Sequence, residues 1–150
     1  MINFFGSAET QYSKGFQVIQ KKNKKIMAHR LAISGLQTRK MNTKITVKEF
    51  NEEVLKAGLL SIVQFTTEWN GACEIIAPIY EDLANSYKDV ANFFTIDADK
   101  ERKVSGQFRI NETPTILFFK NGNVIDYAIG LISKNILISK IETALSQNNK

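Results

Sequence analysis

Residues 59–73 read LLSIVQFTTEWNGAC, and this stretch decides the fold of the chain. Its first half, Leu59 to Phe65, is a nearly continuous apolar run of strand length, which is typical of a parallel strand buried on both faces. Its second half turns polar over Thr66–Glu68, and Asn70-Gly71 is turn chemistry. The stretch therefore predicts a central strand that ends in a sharp turn.

Trp69 and Cys73, the only tryptophan and the only cysteine of the chain, stand in and just after this turn. Cys73 opens a segment in which apolar residues recur with helical spacing, from Ile75 to Tyr87. In open α/β sheets, ligands bind outside the carboxyl ends of the strands, where such strand-to-helix turns lie. We therefore place the candidate site at the turn that holds Trp69 and Cys73.

The remaining elements extend this unit to the order β-α-β-α-β-α-β-β-α. Asn121-Gly122 predicts a β-hairpin between the last two strands, and Pro78 predicts a kink in the long helix. The predicted elements are a strand at 44–46, a helix from 47 to Gly58, a strand at 59–65, a helix at 72–88, a strand at 92–96, a helix at 100–108, strands at 115–119 and 124–129, and a last helix capped by Ser133.

The net charge of +5 is unevenly distributed along the chain. Residues 1–40 hold eight Lys/Arg and one acid, whereas residues 41–150 hold twelve Lys/Arg and fourteen Asp/Glu. The basic run at 21–25 has no interleaved aromatic residue, so we do not predict nucleic-acid binding. We expect residues 1–40 to be a basic extension, disordered or partly helical, and residues 41–150 to form one domain. A mitochondrial transit peptide and an unused upstream start site remain alternatives for the extension.

Cysteine usage and hydropathy argue against a protein held by intramolecular disulfides and against one that spans a membrane. One cysteine cannot form an intramolecular disulfide, which fits a reducing compartment, and we expect a cytoplasmic location. No apolar run approaches the ~18–20 residues of a membrane span. No cluster of ligating residues has metal spacing and no glycine-rich loop suits a phosphate, so we predict neither metal nor cofactor.

The element order, with a Trp-x-Gly-x-Cys turn between strand and helix, resembles the thioredoxin family over roughly residues 43–145. The two prolines of the chain, Pro78 and Pro114, both match proline positions of the family. The resemblance implies a thioredoxin fold, an α/β architecture with a central mixed β-sheet flanked by helices, and a cis-proline at Thr113-Pro114. It also implies a role in thiol–disulfide chemistry and cell redox homeostasis. Further matching pieces are the run 63–73, the turn 96–99 and the segment 119–122 that leads to Gly130.

The chain departs from the family at the residues that carry out the chemistry. In the family motif Trp-Cys-Gly-Pro-Cys, the first cysteine attacks the substrate disulfide. The residue that matches this cysteine here is Asn70, and the residue that matches the motif's proline is Ala72. Cys73 matches the second, resolving cysteine. The family's buried carboxylate and its associated lysine match Gln64 and Thr95, which are neutral. Since a dithiol reductase needs two thiols, the resemblance implies that reductase activity is lost or much reduced.

Asn70 and Cys73 also have purely structural interpretations. Asparagine is among the best helix N-cap residues, so Asn70 is expected to cap the long helix. Cys73 lies at the more shielded of the two family positions and is expected to be a small core residue. The alternative, a single-cysteine thiol oxidoreductase or redox sensor that acts through Cys73, stays open. As the only thiol, Cys73 is the one candidate catalytic residue.

A peptide-binding groove is the second candidate site. Thr113 would offer its backbone groups to an extended peptide, as in β-augmentation. We therefore predict protein or peptide partners, some of which contain thiols. The residues that the resemblance assigns to this groove are Trp69, Asn70, Gly71, Thr113, Pro114 and Gly130.

Overall fold

A five-stranded β-sheet lies at the centre of residues 42–147, the part of the chain that this computed structural model describes. The predicted order of elements and the α/β class are confirmed. The elements are β1 (Thr43–Lys44), α1 (Val47–Glu49), a π-helix (Phe50–Val54), β2 (Leu60–Thr66), α2 (Gly71–Tyr87), β3 (Ala91–Asp97), α3 (Arg102–Gln107), β4 (Thr115–Lys120), β5 (Asn123–Ile129) and α4 (Lys134–Ser146). The predictions for residues 1–40 lie outside the described residues.

The strands of the sheet follow the order β1-β3-β2-β4-β5. Strands β1 and β2 pair with β3 in parallel, whereas β4 pairs antiparallel with β2 and β5 antiparallel with β4. The sheet is therefore mixed, as predicted. Strand β2 lies in the middle, and its first six residues are buried. Its carboxyl end leads directly into the turn that precedes α2.

Aromatic side chains fill the core on both faces of the sheet. On one face, the rings of Phe50, Phe108 and Phe119 make edge-to-face pairs with centroids 5.2 to 5.5 Å apart. On the other face, the Tyr80 ring of α2 packs against Phe93 at 5.4 Å. The Tyr80 hydroxyl lies 2.9 Å from a backbone carbonyl oxygen of β2 and 2.9 Å from one of β3, so its single proton can be donated to either. Burial raises the pKa of this phenol. These contacts fix α2 against the two strands whose ends form the site.

The first helix differs from the prediction. One α-helix was expected from residue 47 to Gly58, but a short α-helix passes into a π-helix that ends at Val54. The Leu55 N–H donates to the Phe50 carbonyl at 3.3 Å, the wider hydrogen bond of a π-turn. The wider turn allows Phe50 and Val54 to be fully buried while Leu55 also packs against the core. The packing of two buried residues and one partly buried residue therefore accounts for the change of helix type.

The other elements differ from prediction only in their ends, by one or two residues. Strand β1 is predicted at 44–46 and observed at Thr43–Lys44, although the Ile45 N–H still donates to the Thr95 carbonyl at 3.0 Å. Within residues 42–147, no helix combines the length and the apolar character that crossing a membrane requires.

Candidate functional site

Asn70 caps the N-terminus of α2. Its backbone is extended, with φ −97° and ψ 109°, and its side-chain Oδ1 accepts a hydrogen bond from the Ala72 N–H at 3.0 Å. This contact satisfies one of the four N–H groups that a helix leaves unpaired at its start. The capping role predicted for Asn70 is therefore confirmed.

The other end of the Asn70 amide connects α2 to the loop before β4. Its Nδ2 donates to the backbone carbonyl of Thr113 at 3.0 Å and lies 3.1 Å from the Thr113 hydroxyl. That hydroxyl is also hydrogen-bonded to the Thr67 hydroxyl at 2.8 Å. We call the three side chains of Thr67, Asn70 and Thr113 the polar bridge. All three are half-buried, so water competes only partly with these bonds.

Pro114 and Gly130 extend this arrangement. The Thr113–Pro114 peptide bond is cis, and the Gly130 N–H donates to the Pro114 carbonyl at 2.8 Å. Gly130 has a φ of +76°, a left-handed conformation that favours glycine. Hydrogen bonds thus bring together four of the residues assigned to the groove, Asn70, Thr113, Pro114 and Gly130.

Trp69 is the most exposed feature of the site. Its side chain is 95% exposed, and its backbone lies in the left-handed region with a φ of +66°. A bulky residue seldom adopts this conformation. Gly71, on the other side of Asn70, is also exposed. Because tryptophan is enriched at the centres of protein interfaces, an exposed tryptophan beside half-buried polar groups suits contact with another polypeptide.

Cys73 lies in the first turn of α2 and is buried, with 6% of its surface exposed. It faces the core together with Ile76 and Tyr80 of the same helix. A thiol in this position is shielded from a disulfide carried by a large substrate. The structure therefore places Cys73 close to Asn70 in sequence but beneath the surface that Trp69 and Asn70 form.

Gln64 and Thr95 occupy neighbouring positions on β2 and β3. Gln64 is 2% exposed, and its Nε2 has no hydrogen-bond partner among the described residues. The Thr95 hydroxyl donates to the Asn42 side chain at 3.0 Å. Since neither side chain ionises, this pair supplies no acid or base.

The charged groups nearest the turn are bound to one another. Asp97, at the end of β3, has a buried carboxylate 3.3 Å from the Lys100 ammonium and 3.7 Å from that of Lys44. Burial acts to raise the pKa of Asp97, but the hydrogen bonds and charge of Lys100, with the charge of Lys44, lower it overall. Lys100 also pairs with Glu68, and this bond, followed by that to Asp97, raises the pKa of Lys100.

These ion pairs hold the turn against β3 and leave no free charged group in it. In the described part of the chain, no three His, Cys, Asp or Glu side chains are grouped so that they could hold a metal ion.

The sequence analysis missed Thr67 and the hydroxyl of Thr113. Their contact joins residues 46 positions apart, and no periodicity or turn motif predicts such a contact. The only available indication was that both threonines flank predicted site segments.

Comparisons with known proteins agree with this geometry. The sequence model of the family described as Thioredoxin matches residues 41–143. A thioredoxin of Chlorobaculum thiosulfatiphilum is 33% identical over 97 residues, which are 65% of this chain and 90% of that protein. A thioredoxin of Mycoplasmoides gallisepticum is 36% identical over 93 residues, 62% of this chain and 92% of that protein. Among solved structures, the thioredoxin Mala s 13 of Malassezia sympodialis has a TM-score of 0.61 at 27% identity and covers 75% of this chain and 95% of its own.

Proposed function

The chain belongs to the thioredoxin family, and we propose that it binds partner polypeptides without carrying out the family's dithiol cycle. The observation that carries this proposal is the polar bridge. Asn70, at the family's nucleophile position, uses its Oδ1 to cap α2 and its Nδ2 to hold Thr113. Both polar atoms of the side chain are therefore engaged in the fold, and neither is a nucleophile.

Disulfide reduction by a dithiol requires two sulfur atoms in one site. A thiolate of the enzyme attacks one substrate sulfur and releases the other as a thiol. A second thiol of the enzyme then attacks the mixed disulfide, which releases the reduced substrate and leaves a disulfide in the enzyme. This chain has one cysteine, and Cys73 is buried. It therefore lacks both the attacking thiol at position 70 and an internal pair of thiols that could supply the two electrons that reduce the substrate disulfide.

Binding would use the exposed face formed by Trp69, Gly71 and the Thr113 backbone. Pro114 has no N–H, and the Thr113 carbonyl already accepts the Asn70 amide. The Thr113 N–H would then be a main-chain donor beside Pro114 for the carbonyl of an extended peptide. Trp69 would add apolar contact at low entropic cost. We place this activity in the cytoplasm, because a single cysteine suits a reducing compartment.

The alternative function, a single-cysteine oxidoreductase or sensor, would require Cys73 to reach a partner thiol or an oxidant. Reactive cysteines lie in partly exposed, electropositive surroundings. Cys73 is buried on the core face of α2, so no observation favours this alternative.

The first experiment measures disulfide reduction with insulin as the substrate. We expect no turnover above background for the unmodified protein. Asn70→Cys should form a disulfide with Cys73, because a helix N-terminus favours the thiolate and disulfides need Cα atoms only about 4.4–6.8 Å apart. The variant should then gain partial activity, which Gln64→Asp should raise further. The matched control is Asn70→Ser, which removes the amide and adds no thiol.

Two results of this experiment would contradict the proposal. Turnover by the unmodified protein would show that catalysis is retained. Two free thiols in Asn70→Cys after mild oxidation would show that position 70 does not face Cys73 as the family geometry requires.

The second experiment measures binding through the fluorescence of Trp69, the only tryptophan. The probe is reduced, carboxymethylated ribonuclease A, an unfolded polypeptide without tryptophan. Since Trp69 is 95% exposed, covering it should shift its emission to shorter wavelength. Amide shifts should cluster at Thr113 and Gly130. Unchanged emission, or amide shifts confined to the opposite face of the domain, would refute the proposed site.

A further inference from the structure

Strand β5 forms one edge of the sheet and carries exposed apolar side chains. Val124, Tyr127 and Ile129 are 42%, 59% and 49% exposed. Edge strands are usually protected against pairing by free charges, lysine or proline. The only charged residue of β5 is Asp126, and the Lys140 ammonium neutralises its carboxylate at 2.8 and 2.9 Å. The edge therefore carries apolar groups and no free charge.

The shape of the strand also permits pairing. A register shift interrupts the β4–β5 ladder between Phe118 and Phe119, near the start of β5. From Asp126 to Ile129 the ladder is regular. The second half of β5, with Tyr127 and Ile129, is therefore regular, and pairing with another strand would replace the local hydrogen bond from the Tyr127 N–H to the Asp126 Oδ1 at 2.8 Å.

These side chains form one wall of a groove of about 340 Å³. The opposite wall is the loop at 108–112, which contributes Ile110 together with Arg109 and Glu112. We call this feature the β5 groove. Its floor is apolar, and its rim carries one positive and one negative side chain.

Arg109 and Glu112 are both exposed, and within residues 42–147 neither takes part in an ion pair. The φ of +51° at Arg109 belongs to the C-terminal end of α3, where the Ile110 N–H donates to the Ser105 carbonyl at 2.9 Å. Two opposite, unpaired charges beside an apolar floor indicate a partner that presents both charges.

We propose that two copies of this chain associate through β5 about a two-fold axis. In a two-fold interface, each surface meets its own copy, so a rim with one arginine and one glutamate is complementary to itself. The two β5 strands would run antiparallel and continue the sheet across both copies. Tyr127 and Ile129 of each copy are then covered, and Arg109 of one copy pairs with Glu112 of the other. A partner of a single charge sign would leave one of these two residues unpaired.

Sedimentation equilibrium of the full chain under reducing conditions tests the proposal. The expected species has twice the 17.0 kDa mass of one chain, at concentrations up to about 1 mM. Arg109→Glu and Glu112→Arg should each raise the dissociation constant at least about tenfold, because each places like charges opposite one another. The combined variant Arg109→Glu/Glu112→Arg should restore association. Lys88→Glu, at an exposed site after α2, is the matched control and should associate like the unmodified chain.

Tyr127→Lys provides a second, independent disruption, since a lysine on an edge strand blocks pairing. Its melting temperature shows whether the variant is folded. A monomeric protein at every concentration would overturn the proposal. So would a dimer that the single charge reversals leave intact, or one that the combined reversal does not restore, because the interface would then lie elsewhere.

Discussion

Asn70 carries out two structural tasks that need an amide. Its Oδ1 accepts from the helix N-terminus while its Nδ2 donates to Thr113. Serine or aspartate can cap a helix, but serine is too short to reach Thr113 and aspartate has no donor in its ionised form. Cysteine at this position would supply neither contact well. Asn70 thus ties the cis-proline loop to α2.

This double role leads to a prediction about stability. Asn70→Ser keeps a capping oxygen and loses the bridge, so it should lower the free energy of unfolding by about 1 kcal/mol. Asn70→Ala loses both contacts and should cost about 2 kcal/mol. Urea unfolding measures both values, with Asn135→Ala on the exposed surface of α4 as the control. Equal stability of Asn70→Ser and the unmodified protein would show that the polar bridge does not stabilise the fold.

The sequence predicted that Asn70 caps α2 but did not predict the polar bridge. The cap follows from local chemistry, since a strong N-cap residue precedes a helical pattern. The bridge depends on the tertiary position of a loop 43 residues away, which no local pattern specifies. The residues alone leave Trp69 equally compatible with the core, and only the resemblance to the family placed it at the groove.

At the scale of elements, the end of β3 is stabilised by the ionised form of Asp97. Its carboxylate accepts from the N–H groups of Asp99 and Lys100 at 3.2 and 3.1 Å. Its pKa is lowered below the ordinary value of 3.8, because the bonds and charges of Lys100 and Lys44 outweigh the effect of burial. A folded pKa below the unfolded one stabilises the fold at pH values above 3.8, and this contribution is lost as the pH falls through the folded pKa.

Asp97→Asn should therefore reduce stability by an amount that depends on pH. The difference from the unmodified protein should be largest at pH ~5 to ~7 and shrink as the pH falls below ~4. Urea unfolding across this range measures it. Asp89→Asn, in the exposed turn after α2, is the matched control and should change stability by less than about 0.5 kcal/mol. A difference for Asp97→Asn that stays constant down to pH ~3 would contradict the assignment.

The sequence predicted the type and order of the elements, but it predicted the geometry inside them less well. Continuous apolar runs predict buried strands such as β2, and apolar residues at helical spacing predict α2. The π-helix at Phe50–Val54 was missed, because apolar spacing there fits an ordinary helix as well. Its wider turn becomes favourable only when the sheet is present to receive Phe50, Val54 and Leu55.

For the whole molecule, the sequence predicted which strands exist but not which surfaces remain open. β5 is mainly apolar in sequence, yet only Ala128 is buried within it. Tyr127 and Ile129 line the groove whose opposite wall is the 108–112 loop. The groove depends on how the domain packs, so the sequence could not predict it.

The boundary near residue 40 gives the prediction at the largest scale. Residues 42–147 contain the complete five-stranded sheet and its core cluster, whereas the excess positive charge belongs to residues 1–40. We expect a chain that starts at Met41 to keep the free energy of unfolding of the full chain, because the stabilising apolar burial lies within the domain. Urea unfolding of the two chains at matched protein concentration measures the difference. A loss of more than about 2 kcal/mol would show that residues 1–40 contribute to the packed structure, since removal of a surface segment without such contacts changes stability far less.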